Sequence, residues 1–444
     1  MKTNSLTEGN ISKSILFFLI PILVSSLIQQ LYSVVDLVLI GKFIGAEATA
    51  AVGASSLIIT CLIGFFNGIA VGTNVVTAHI FGSSDRSSLK EIMQTVWTAG
   101  AIGGLLLMVV GLTLSPHFLK WMNTPHSILD TGVIYLRIYL LSLPAIVLYN
   151  LCSGILRAMG DSKSPMFFQV IGGLLNVVGC ILMVAVWRKG VAGAATATFI
   201  SQTVAALLIL GHLHSKKQSV RLEFKVKGFN PILLKRILAI GIPSGVQAMI
   251  ITFSIIILQS QINKFGVHVM AAFAAYYKIE MLIYLPILAL GQALVSFVGQ
   301  NHGAEQYERI KKGTSLSIRW GILMTACISA LLLLQGPLVM RLFTDHQQVI
   351  FYGCQIMKVT FPFYFLYVII ECSSSEIRGR GEATIPMVIT LFSFCVVRLT
   401  ALVVLISQWH DIRGIAAVYP FSWAVAAGLM TFARLQMEKK EHKL

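Results

Sequence analysis

Long apolar runs separated by short polar stretches follow one another along the chain. A helix that crosses the hydrocarbon core of a bilayer needs about 20 mostly apolar residues. Twelve stretches reach that length: 15–40, 50–78, 93–115, 133–155, 166–187, 191–212, 237–262, 270–298, 314–339, 354–376, 385–407 and 413–434. They are continuous rather than ten-residue alternations, so they predict helices and not barrel strands. The first is too long for a signal-peptide core and has no small-residue cleavage site after it, so it is expected to stay as a span. The pattern predicts an all-α polytopic membrane protein of twelve transmembrane helices.

Composition narrows the function classes. Of 444 residues, 56% are apolar and 12% charged, against about a quarter charged in soluble domains. That excludes a cytosolic enzyme, a secreted disulfide scaffold and a disordered chain. The formal net charge of +16 would suit nucleic acid if the bases were clustered, but they are scattered over short loops. With the N-terminus inside, 23 of the 34 Lys and Arg fall in cytoplasmic segments, seven in outer loops, and four (Arg137, Lys278, Lys358 and Arg398) within spans. This asymmetry follows the positive-inside rule and puts both termini in the cytoplasm of a cell-membrane protein. The seven cysteines form no CxxC pair and read as small packing residues rather than a metal or disulfide framework.

The chain repeats itself at an offset of about 221. Arg157-Ala-Met-Gly-Asp161 aligns with Arg378-Gly-Arg-Gly-Glu382, Pro165 with Pro386, Ser201 with Ser422, Pro21 with Pro243, and Lys42-Phe43 with Lys264-Phe265. Six spans per half return the chain to its starting side, so the halves share one orientation and are expected to be related by an axis along the membrane normal. The expected domains are an N-terminal six-helix lobe over 1–212, a basic cytoplasmic linker over 213–236, a C-terminal six-helix lobe over 237–434 and a cytoplasmic tail over 435–444. Two such pseudo-symmetric bundles would enclose a central cleft, where secondary transporters hold substrate. Within the spans, Gly64, Gly68 and Gly72 form a ridge that admits a neighbouring helix.

Ionisable groups inside a span are costly and are usually functional or paired. Asp36, Glu280 and Glu371 lie well inside; Glu376 and Glu47 are nearer the ends and read as interface residues. Asp36 has no base within a turn on either side, and burial works against its charged form, which brings proton binding into reach. Glu280 and Glu371 are candidates for the cleft lining, with Gln29 and Asn150. Arg398 on the eleventh span is placed to form a structural ion pair with Glu371, and Arg137 to snorkel outward. Phe65, Phe66 and Tyr149 offer flat contacts to amphipathic cations. No HExxH or nucleophile–base spacing marks the spans, so an enzyme is not expected.

The opening Leu6-Thr-Glu-Gly-Asn-Ile, the run from Pro21 through Gln29-Gln30-Leu-Tyr32 to Asp36 and Gly41, Arg157-Ala-Met-Gly-Asp161 and Val191-Ala-Gly-Ala-Ala195 together resemble the multidrug and toxic compound extrusion (MATE) transporters, bacterial type, along the whole chain. The resemblance implies an efflux antiporter that expels cationic or amphipathic drugs in exchange for protons or sodium by alternating access, with no cofactor, no ATPase partner and no nucleic acid, working in the lipid bilayer as a monomer. It implies a cation-coupling site at Asp36, Asn176 and Thr198, with Asn150 as a further polar residue. A second carboxylate would stand at 180, where this chain has Cys180. Hard cations prefer oxygen ligands, so a sodium site at Asp36, Asn176 and Thr198 is weakened and H+ is favoured as coupling ion. The C-terminal half lacks the acid of the sodium-coupled pattern on its first span, and the tenth-span acid of that pattern falls near Tyr367, one turn before Glu371. An alternative reading is a lipid-linked precursor flippase of related fold, which would need Arg137, Lys278 or Arg398 in a cationic cleft.

Overall fold

The structure is a computed structural model that describes residues 6–122, 124–215, 222–223, 228–409 and 411–441. Much of the expected basic linker (216–221 and 224–227) and the last three residues of the tail lie outside the described residues. Among the described residues every regular element is helical. The order is α1 (Ile11–Phe43), α2 (Ala46–Gly82), α3 (Arg86–Trp121), α4 (His126–Leu140), α5 (Leu143–Ala158), α6 (Lys163–Cys180), α7 (Gly190–His214), α8 (Pro231–Ile262), α9 (Val267–Gly303), α10 (Tyr307–Leu334), α11 (Gly336–Arg341), α12 (Gln347–Thr360), α13 (Tyr364–Gly379), α14 (Thr384–Leu391), α15 (Arg398–Trp409) and α16 (Ile412–Glu441).

Among the described residues, eleven helical stretches are each long and apolar enough to cross a bilayer, and α4 with α5, bent by 45° at a short break, makes up to a twelfth. The chain is thus a multi-pass membrane protein. The bend has a local cause: Pro144 at the start of α5 has no N–H to continue the ladder from α4. The longest helices, α2 and α9, have 37 residues each, or about 55 Å, and so overrun the hydrocarbon core. Large apolar side chains such as Leu31, Val38, Leu106 and Leu207 stay exposed, as they must where the solvent is lipid.

The chain forms two compact units. The first comprises Ile20–Gly245 and the second Leu6–Leu19 with Val246–Leu444. The opening turns of α1 therefore belong to the second unit, and those of α8 to the first, a trait that the lobe boundaries drawn from the sequence do not carry. Both changes of unit fall within two residues of a repeat-equivalent proline, Pro21 and Pro243. Each proline removes one N–H from the middle of its helix.

Turn geometry repeats with the sequence. Gly45 and Gly160 in one half, Gly266 and Gly381 in the other, have φ of 117°, 84°, 92° and 102°. Side chains avoid that region, which is why glycine recurs at the same offset. In the first unit, Ile40, Val52, Leu136, Leu140, Cys180, Val184 and Ala194 pack into one buried cluster fed by α1, α2, α4, α6 and α7.

Candidate functional site

On α1 the residues Tyr32, Asp36 and Ile40 recur every fourth position and so share one face. Tyr32 and Ile40 are buried and Asp36 partly so, while Leu31 and Val38 point away. The face meets α6 and α7 at Asn176 and Thr198, both buried. With its amide turned to satisfy both neighbours, Asn176 donates through Nδ2 to Asp36 Oδ1 and Oδ2 at 3.0 and 3.2 Å and accepts from Thr198 Oγ1 at 3.1 Å. Amide orientation is assigned from such hydrogen-bond patterns. The sequence-derived trio of Asp36, Asn176 and Thr198 is therefore one hydrogen-bonded cluster.

Two members were not legible as such. The Cys180 thiol also hydrogen-bonds Asp36, so the residue that replaces a carboxylate still touches the site. Tyr32, whose hydroxyl accepts from Gln202 Nε2 at 3.2 Å, walls it one turn away. The i, i+4 spacing from Tyr32 to Asp36 was the available signal. Gln29 is exposed on α1 and hydrogen-bonds Tyr32 rather than Asp36. Asn150, on α5, is partly buried and stands outside the Asp36 hydrogen bonds. Tyr149 does not offer its hydroxyl to a ligand, because it donates to the Pro165 carbonyl at 2.7 Å.

The second unit places its acids differently. Glu371 does not pair with Arg398. Its Oε1 accepts from Arg378 Nη2 at 2.8 Å and from Ser375 Oγ at 3.3 Å. Ser375 and Arg378 follow Glu371 by one and two turns on the same face of α13, so the local partner wins over the one on another helix. Arg398 instead donates from Nε to Ser422 Oγ at 3.0 Å and from Nη1 to Ser254 Oγ at 3.1 Å. Glu280 on α9 accepts from the Tyr364 hydroxyl and stands among Tyr276, Tyr277 and Tyr364. Around it Tyr284 and Tyr367 join by their hydroxyls at 3.3 Å, and Trp423 packs on Tyr364, Tyr367 and Tyr419 at 4.9–5.9 Å. That aromatic group was not foreseen.

Glu376 corrects a further expectation. It is fully buried rather than interfacial, held by Arg380 at 2.5 Å and by Arg434 at 3.8 Å. Such a buried carboxylate is tolerated because two guanidinium groups meet it. Arg137 is exposed, as snorkelling requires, and touches Ser115 Oγ at 3.2 Å.

A family model described as MatE matches the chain twice, over residues 21–182 and 243–404. The chain belongs to the MatE family. The two matched stretches stand at the offset of the internal repeat and open on Pro21 and Pro243. Curated relatives span nearly the whole chain. One is the "Probable multidrug resistance protein YpnP" of Bacillus subtilis (strain 168), 29% identical over 94% of this chain and 93% of its own. Another is "Probable multidrug resistance protein YoeA" from the same organism, 25% identical over 96% and 93%. Among solved structures, a MATE in the straight conformation covers 100% of both chains at 24% identity with a TM-score of 0.94. An outward-facing multidrug resistance MATE family transporter of the MOP superfamily matches with the same score and identity, over 100% and 99%. This MatE chain is accordingly a membrane transporter and not an enzyme.

Proposed function

We propose that the chain is a secondary active efflux antiporter that exports cationic or amphipathic drugs in exchange for protons, with Asp36 as the coupling acid. Relatives named for multidrug resistance support the substrate class. The observation that carries the coupling ion is the Asp36–Asn176–Thr198 chain, because it serves either charge state of Asp36 with no more than a turn of the Asn176 amide.

Donor and acceptor counting makes this concrete. Ionised Asp36 receives Asn176 Nδ2, and Asn176 Oδ1 receives the Thr198 hydroxyl. Protonated Asp36 donates to Asn176 Oδ1. The amide then turns Nδ2 to Thr198 Oγ1 at 3.1 Å, and the Thr198 hydroxyl donates to the Ala194 carbonyl at 3.3 Å. Proton binding reverses every hydrogen bond in the chain and leaves none unmade. Sodium has a poorer seat. In the ionised arrangement Asn176 and Cys180 present donors to the carboxylate, whereas a hard cation needs oxygens.

Exchange follows from charge. An ionised Asp36 favours a cationic substrate in the same unit; protonation removes that attraction and frees it. With both termini cytoplasmic, as the basic residues indicate, inward proton flow drives outward drug flow. The test is Asp36→Asn in a drug-sensitive host: resistance is expected to be lost at unchanged membrane abundance. Wild-type resistance from that variant would remove Asp36 from the coupling role.

A further inference from the structure

A groove opens in the second unit where the first turns of α1 lie against α9 and α10. Leu16 and Leu19 of α1, Leu290 of α9, and Leu316, Trp320 and Met324 of α10 line it. Trp320 and the nearby Leu323 are exposed, so the groove faces the hydrocarbon. Its volume of about 220 Å³ falls below the about 300 Å³ at which drug-sized ligands begin to fit. A segment of hydrocarbon chain suits that space and that lining.

Two features call for more than hydrocarbon. Ser317 also lines the groove, is 1% exposed, and its Oγ has no hydrogen-bond partner among the described residues. Thr325, two turns further along α10, gives its hydrogen to the Gly321 carbonyl at 2.9 Å; Ser317 does not do the equivalent. A buried hydroxyl without a partner is unfavourable, and an acceptor carried by a ligand would satisfy it. The second feature is charge. Lys13 precedes Leu16 by three residues, Lys312 precedes Leu316 by four, and Arg319 follows Leu316 by three. Each cation therefore stands one turn from a lining residue on the same helix face. All three are exposed, and none meets a carboxylate at ion-pair distance among the described residues. Glu308, one turn before Lys312, lines a separate cavity with Arg309 and Arg380.

We propose that this groove binds an anionic phospholipid of the cytoplasmic leaflet, the side on which the basic residues lie. Lys13, Lys312 and Arg319 receive the headgroup phosphate, and one acyl chain fills the groove. Five residues separate Lys312 from Ser317, about 7.5 Å of helix. A phosphate at Lys312 thus sets the glycerol esters level with Ser317, which donates to an ester carbonyl. A zwitterionic lipid fits the same groove but brings the three cations no net charge. Because the lining takes in α1 as well as α10, the bound lipid holds the opening turns of α1 in the second unit. The site stands whatever the drug or the coupling ion.

The probes are phosphatidylglycerol and phosphatidylcholine with brominated acyl chains, each mixed into vesicles that hold the full chain. Bromine quenches tryptophan on contact, and Trp320→Phe supplies the signal of the remaining tryptophans. Quenching of Trp320 is expected to favour phosphatidylglycerol. A basic side chain at an anionic surface is worth about fivefold, so Lys312→Gln should lower that preference about fivefold. Lys13→Gln, Lys312→Gln and Arg319→Gln together should bring it near parity. The three side chains are exposed, so the triple variant is expected to melt like the wild type in phosphatidylcholine. Phosphatidylglycerol should also slow hydrogen exchange over residues 11–19 in the wild type and not in the triple variant. Equal quenching of the wild type by the two lipids, or a preference that survives the triple variant, would reduce the groove to ordinary boundary lipid and overturn the site.

Discussion

At residue scale the proposed coupling chemistry of the first unit centres on Asp36, and in that proposal Cys180 is the residue that selects the ion. A thiol donates to Asp36, where a carboxylate would add an oxygen ligand. Cys180→Asp is therefore expected to confer sodium-stimulated export that the wild type is expected to lack, read as the initial rate with and without a sodium gradient. No sodium response from a folded Cys180→Asp protein would show that the missing carboxylate is not what selects the ion. Asp36 was legible because it is the one acid on α1, whereas Asn176 and Thr198, which share their helices with other polar residues, were named by the family resemblance. The Glu371–Arg378 pair was legible in principle, since seven residues return a helix to the same face. The Glu280–Tyr364 contact was not, because it joins α9 to α13 and no local periodicity encodes which helices meet.

At the scale of elements the helices are set by where backbones touch. A Cβ on Gly68 would lie 2.1 Å from the Gly245 nitrogen, and one on Gly72 would lie 2.3 Å from the Ile237 carbonyl oxygen, so α2 and α8 approach at their backbones. The glycine ridge was visible in the sequence, but its partner was not. Gly68→Leu must push the helices apart and is expected to destabilise by about 3 kcal/mol or more, seen as a large fall in melting temperature in detergent. Gly103→Leu, with open space at that position, should melt like the wild type. The start of α3 carries the pH-dependent element. Side-chain and backbone hydrogen bonds from Ser88 and Ser87 hold the Asp85 carboxyl at about 2, below the ordinary 3.8. Because the folded value is the lower one, the cap contributes fully above pH 3.8 and is lost as pH falls through about 2. Hydrogen exchange in the first turn of α3 should accelerate across that interval and not above it.

For the whole molecule, apolar periodicity was sufficient to establish a polytopic helical fold, since eleven stretches and one bent pair occupy the twelve runs. The repeat extends to turns that the sequence reading did not single out, with glycine at the positive φ of 45, 160, 266 and 381. It did not show that the opening turns of α1 and α8 are exchanged between the compact units, since membership depends on packing partners and not on span order. Nor did duplication of scaffold imply duplication of chemistry. One unit has a lone acid with amide, hydroxyl and thiol partners; the other has Glu280 and Arg398 among tyrosines. The central claim is that protons, bound at Asp36, drive export. Its most direct test is drug efflux from proteoliposomes with a pH gradient and a sodium gradient imposed separately on wild type and Asp36→Asn. Export by the wild type under the pH gradient alone, and by the variant under neither, is the expected result. Export driven by sodium alone, or pH-driven export that survives Asp36→Asn, would contradict it.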